Sequence, residues 1–159
     1  MRCGITRARF MIGLDTSILV AHAIVEHPQH EACREWLDEA LERNQTFAVT
    51  SGILAEFIHI VTDARRFETP LVISEATERA AFWSEAQEVT LLSADDHANA
   101  LWLQWLADFR LGRKRLLDTL IAATWHVAGV REIWTLNPRD FTVFEIFQIR
   151  CLGMENPGA

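Results

Sequence analysis

The chain contains no tyrosine, four prolines, seven glycines and three cysteines among its 159 residues, and a single lysine, Lys114. Each scarcity excludes something. With so little proline and glycine, and with half of the residues hydrophobic and 23% charged, collagen-like repeats, low complexity and disorder are not expected, and the chain can bury a core. Its length is that of one ordinary domain. Cys3, Cys33 and Cys151 are an odd number, far apart and without a CxxC pair. They offer neither a disulfide framework nor a zinc site and suggest a reducing cytoplasm. No apolar run approaches the roughly 18–20 residues that span a bilayer, so no membrane partner is expected. The basic opening MRCGITRARF is not followed by the long apolar stretch of a signal peptide. A second methionine, Met11, directly precedes IGLD, and residues 1–10 are set aside from the fold. Positive charge is also short: 15 Lys+Arg against 22 Asp+Glu leave a net charge of −7, which argues against general affinity for polyanions.

Familiar active-site signatures are missing too. No GxGxxG follows a strand, no GxxxxGK[ST] or GxSxG occurs, and the histidines show no HExxH spacing, so dinucleotide, P-loop, serine-elbow and zincin chemistry lack support. Asp15 is followed by Thr-Ser rather than by a second acid two places on, against an aspartyl-phosphate phosphatase. A receiver domain would need an acid pair and a late lysine.

What is present is alternation. MIGLD (11–15), FAVT (47–50), VTLL (89–92), VREIWT (130–135) and VFEIFQI (143–149) read as short strands. Between them lie helical patterns: from Thr16 or Ser17 to near Pro28, over 31–43, from Ser51 through the Arg65-Arg66 pair, over 74–87, after Ser93-Ala-Asp-Asp, and from about Leu117 to Gly129. This predicts an α/β fold in a single domain over 11–150, with tails at 1–10 and 151–159. Its core is a central, mainly parallel sheet of about five strands flanked by helices on both faces.

Working residues in such sheets gather at the carboxyl ends of the strands. Asp15 ends the first strand, Glu56 sits in the first turns of the helix after FAVT, Asp118 opens a late helix, and Asn137 and Asp140 follow the fourth strand. Singly, each has an ordinary explanation: a helix cap, a dipole partner, a turn. Yet Asp15, Glu56 and Asp118 stand in apolar stretches, where a carboxylate needs a partner. Together they form an oxygen-only donor set of the kind that suits Mg²⁺ or Mn²⁺ and phosphodiester hydrolysis.

In this order and spacing, GLDTSILV, the Glu of LAEF, RLLDTLIAAT and WTLNPRDF resemble the PIN-domain ribonucleases, and within them the VapC-like toxins of bacterial VapBC toxin–antitoxin pairs. The resemblance covers roughly residues 11–150. It implies a metal-dependent endoribonuclease in which Asp15, Glu56 and Asp118 hold Mg²⁺ or Mn²⁺. Thr16, Ser17 and Thr135 would line the site. The family's fourth acid falls on Asn137 here, an amide, and Asp140 is the nearest carboxylate to take that role. An RNA substrate, a small inhibitory antitoxin and a homodimer are implied as well. The departure at Asn137 leaves an alternative, a PIN-like module that binds RNA or protein without cleaving. Arg110, Arg113, Lys114 and Arg115 form either a solvated loop or a clamp for the RNA backbone, to which Arg139 and Arg65-Arg66 can add. The tryptophans read as core or interface residues and the histidines as structural or surface ones.

Overall fold

The protein is described by a computed structural model over residues 10–153. Cys3 and nearly all of the two expected tails lie outside the described residues. Five strands, β1 (Ile12–Leu14), β2 (Phe47–Thr50), β3 (Val89–Leu92), β4 (Glu132–Thr135) and β5 (Gln148–Cys151), form one sheet in the order β3-β2-β1-β4-β5. Every pairing in it is parallel. The three residues of β1 and the four of β2 are all buried, as strands covered on both faces must be. The expected α/β architecture is therefore the one present.

The helices follow the two halves of the winding. Helices α1 (Thr16–Ala23) and α2 (His30–Glu42) connect β1 to β2, and α3 (Ser51–Val61) and α4 (Ile73–Glu85) connect β2 to β3. These four pack in succession, α2 on α1, α1 on α3 and α3 on α4. The return crossover, α5 (Asp96–Asp108) and α6 (Leu116–Val127), is a tightly packed pair that carries the chain from β3 past β1 to β4. Trp36 of α2 stacks on Trp134 of β4, ring centroids 3.9 Å apart. On the opposite face Trp125 of α6 lies against Gly13, where an added Cβ would sit 2.8 Å from its ring. That approach requires glycine in the middle of β1. Two helices begin on side-chain caps: Thr50 Oγ1 accepts from the Ile53 N–H at 3.2 Å, and Asp95 Oδ1 from the Ala98 N–H at 2.8 Å.

Three element limits differ from the sequence reading. Helix α1 stops at Ala23 because Ile24 turns extended (φ −94°, ψ 109°) while keeping its side chain in the core. Helix α3 stops at Val61, and Asp63 opens a turn by accepting from the Arg65 N–H at 2.9 Å. The last strand does not cover 143–149. Residues Thr142–Phe144 make a 3₁₀ turn, Glu145 is left-handed (φ 55°), and β5 begins only at Gln148. The cause is Phe144, buried against Trp105 at 4.9 Å and Phe109 at 5.8 Å, so that aromatic packing on α5 overrides strand propensity. Among the described residues no helix is long and apolar enough to cross a membrane.

Candidate active site

The strand order reverses between β1 and β4, and in open α/β sheets the crevice at that reversal is where ligands bind. Asp15 follows β1 there directly. It is 7% exposed, and its Oδ2 accepts from Ser17 Oγ at 2.7 Å and from Thr135 Oγ1 at 2.8 Å. Those hydroxyls are held in turn by the loop after β4: the Leu136 N–H donates to Ser17 Oγ and the Asn137 N–H to Thr135 Oγ1, both at 2.9 Å. A polar net thus clips the start of α1 to the end of β4 and orients one carboxylate.

Glu56 arrives from α3, half-buried, and its Oε2 accepts from Thr16 Oγ1 at 2.8 Å. Asp118 stands in the first turn of α6, with its Oδ2 3.6 Å from Arg115 Nε. The Arg115 guanidinium also donates to the Asp140 carbonyl oxygen, tying the 3₁₀ turn Pro138–Asp140 to α6.

Electrostatics binds these groups into one centre. Burial pushes the Asp15 carboxyl above its ordinary range, against the hydrogen bonds from Ser17 and Thr135, and the Asp140 charge adds to the rise. Burial likewise raises Glu56, with further pushes from Asp15 and Asp140. Asp118 is raised to about 6, first by burial and then by Asp140, with Arg115 opposing. Asp140 is therefore felt by all three other acids. Carboxylates that raise one another in this way are relieved by a cation among them.

As they stand, no three His, Cys, Asp or Glu side chains among the described residues are drawn together as metal ligands. Asp15 is engaged by hydroxyls, Glu56 by Thr16 and Asp118 by Arg115. The donor chemistry fits a hard divalent ion, an all-oxygen set under mutual repulsion. Asn137 is placed differently from the acids. It is exposed and lines a cleft beyond Ser17, and its side-chain amide has no partner among the described residues.

The basic run divides. Arg110, Arg113 and Lys114 are exposed, whereas Arg115 turns into the acids. In the sequence the four form one basic run, and only the Arg115–Asp118 spacing of three, one helical turn, sets Arg115 apart. Arg139 is exposed, and Arg65 and Arg66 pair with Asp63.

The PIN domain family model matches residues 12–144. Ribonuclease VapC24 of Mycobacterium tuberculosis is 30% identical over 134 residues, 84% of this chain and 91% of its own. Ribonuclease VapC31 of the same organism is 35% identical over 66 residues, 42% of this chain and 46% of its own. Among solved structures, M. tuberculosis VapC20, a sarcin-ricin loop cleaving toxin, matches with a TM-score of 0.66 at 16% identity, covering 87% of this chain and 98% of its own. VapBC2 from Rickettsia felis, bound to a DNA fragment from its promoter, matches with a TM-score of 0.63 at 18% identity, covering 89% and 98%. At such identities the likeness speaks for the fold.

Proposed function

This chain belongs to the PIN-domain family, and from that premise we propose that it is a divalent-metal-dependent endoribonuclease, the toxin component of a toxin–antitoxin pair. The observation that carries this reading is the shared field of Asp15, Glu56, Asp118 and Asp140 at the point where the sheet order reverses.

Asp15, Glu56 and Asp118 are the residues to hold Mg²⁺ or Mn²⁺, with Asp140 the better placed of the two candidates for the fourth position and Asn137 the other. When bound, such an ion supplies Lewis-acid activation of water and neutralisation of phosphate charge. The chain's own side chains do the rest. Ser17 and Thr135 fix the rotamer of Asp15, and Thr16 fixes that of Glu56. One of the carboxylates accepts the proton of the attacking water. Exposed Arg113, Lys114 and Arg139 offer cations to the RNA backbone. The VapBC complex among its structural relatives supports a small inhibitory antitoxin as partner, and the working form that goes with this reading is a homodimer. The influence of Asp140 on all three acids favours hydrolysis over a non-cleaving module, since it supplies the charge that Asn137 lacks.

The test is cleavage of labelled RNA by the purified chain in Mn²⁺ or in EDTA, alongside Asp15→Asn. Cleavage should require the metal and fall by about 100-fold or more in the variant, the range for removing a group that acts on the reacting atoms. Cleavage that persists in EDTA, or survives Asp15→Asn undiminished, overturns the assignment.

A further inference from the structure

On the far side of Ser17 from Asp15, a cleft of about 540 Å³ opens between α1, the turn ahead of α2, the end of α3 with the turn that follows, and the loop after β4. Its polar and aromatic walls are Ser17, His27, Gln29, Arg66, Phe67 and Asn137, over an aliphatic floor. The side-chain amides of Gln29 and Asn137 have no hydrogen-bond partner among the described residues. His27 Nδ1 accepts from the Gln29 N–H at 3.1 Å, which leaves the proton of the neutral ring on Nε2 as a donor. Burial and the neighbouring His30 lower the pKa of that ring below its ordinary value. Phe67 is half-buried, and exposed Arg66 has among the described residues a single side-chain ion pair, a 3.5 Å contact with Asp63 that is weak enough to yield to a ligand.

Unpartnered amides, an imidazole, an aromatic ring and a movable guanidinium match the three faces of one nucleotide. The amides suit the hydrogen-bonding edge of the base, the rings its π face, and the guanidinium its phosphate. The volume falls within the roughly 300–1,000 Å³ usual for small-ligand sites. Ser17 joins this cleft to the chemistry, because it lines the cleft and its hydroxyl donates to Asp15 at 2.7 Å. We infer that the cleft is a nucleotide subsite, which takes an unpaired RNA base next to the phosphate presented to Asp15. This rests on the reading of the protein as a ribonuclease.

The test titrates the full chain, in an Asp15→Asn background, with tetranucleotides of A, C, G or U by fluorescence anisotropy, and repeats it with Phe67→Ala and Gln29→Ala. One base should bind several-fold better than the rest. Phe67→Ala should weaken its binding about tenfold, the scale of one lost stacking contact, and Gln29→Ala should flatten the preference between bases. Thermal denaturation checks folding, and Gln29→Ala carries the test should Phe67→Ala unfold. Affinity and preference unchanged in both variants overturn the subsite. So does loss of affinity for the antitoxin with oligonucleotide binding intact, which would make the cleft a peptide site. If the parent chain cleaves RNA while the variants bind like their background, only the subsite falls. If it neither cleaves nor binds RNA, the ribonuclease reading falls with it.

Discussion

Arg115 shows how much one side chain can decide in an acid centre. Its guanidinium faces Asp118 and holds the Asp140 turn, while its buried Nε has no hydrogen-bond partner in the described structure. It is an internal counter-charge that an incoming cation must share space with. Arg115→Ala should lower the melting temperature of the metal-free protein, because Asp118 loses the cation that opposes its neighbours' charge. It should also tighten Mn²⁺ binding several-fold, read by isothermal titration, since about 1.4 kcal/mol of relieved competition is a tenfold change in affinity. Asp118 sets a pH dependence whose sign is fixed by its environment. Its carboxyl is raised from 3.8 to about 6, so the folded chain holds this proton where the unfolded chain has released it. The stability this proton supplies is complete below about pH 4 and is lost as pH climbs through about 6. Asp118→Asn should therefore match the parent in metal-free stability near pH 4 and exceed it by pH 8, as measured by thermal melts across that range. Asp15, Glu56 and Asp118 were legible in the sequence because each carboxylate interrupts an apolar stretch. The inward turn of Arg115 was not, since a basic tripeptide after a glycine reads the same whether it is solvated or folded back, and only the 3₁₀ turn Arg113–Arg115 selects one outcome.

At the scale of elements, the tightest constraint lies where α6 crosses β1. Trp125 is fully buried, donates from Nε1 to the Ala48 carbonyl at 3.3 Å, and fills the space a side chain at residue 13 would need. Gly13→Ala should cost about 1–3 kcal/mol of stability by overpacking, read from urea unfolding. Thr50→Ala should cost about 1 kcal/mol in the same measurement through loss of the α3 cap. The parallel strands and amphipathic helices were legible because their burial is set by local periodicity. The final strand was not. VFEIFQI alternates like a strand, but Phe144 has a better place among Trp105 and Phe109, which are some forty residues earlier in sequence and invisible to a local pattern.

At the scale of the whole molecule, the net charge of −7 describes an average that the site departs from in both directions. Four acids concentrate negative charge at one crevice, while Arg113, Lys114 and Arg139 expose positive charge within a few residues of Asp118 and Asp140 in sequence. Saturating Mn²⁺ should accordingly raise the melting temperature, an effect absent in Asp15→Asn, because an ion that binds only the folded centre stabilises it by mass action. The alternation of strands and helices announced a parallel sheet covered on both faces. It did not announce the order, because a crossover can return to either side of a strand, and the side was settled by α5 and α6 reaching β4 across the Trp125 face of β1. That return has a consequence for how the protein is made. Asp15 leaves the ribosome well before its hydroxyl partner Thr135, which lies 120 positions later. A nascent chain already carrying Asp15, Glu56 and Asp118 still lacks the strand that orients the first of them. The orientation of Asp15 thus waits for β4, and a segment that stops short of Thr135 carries three of the acids without the hydroxyl that fixes the first.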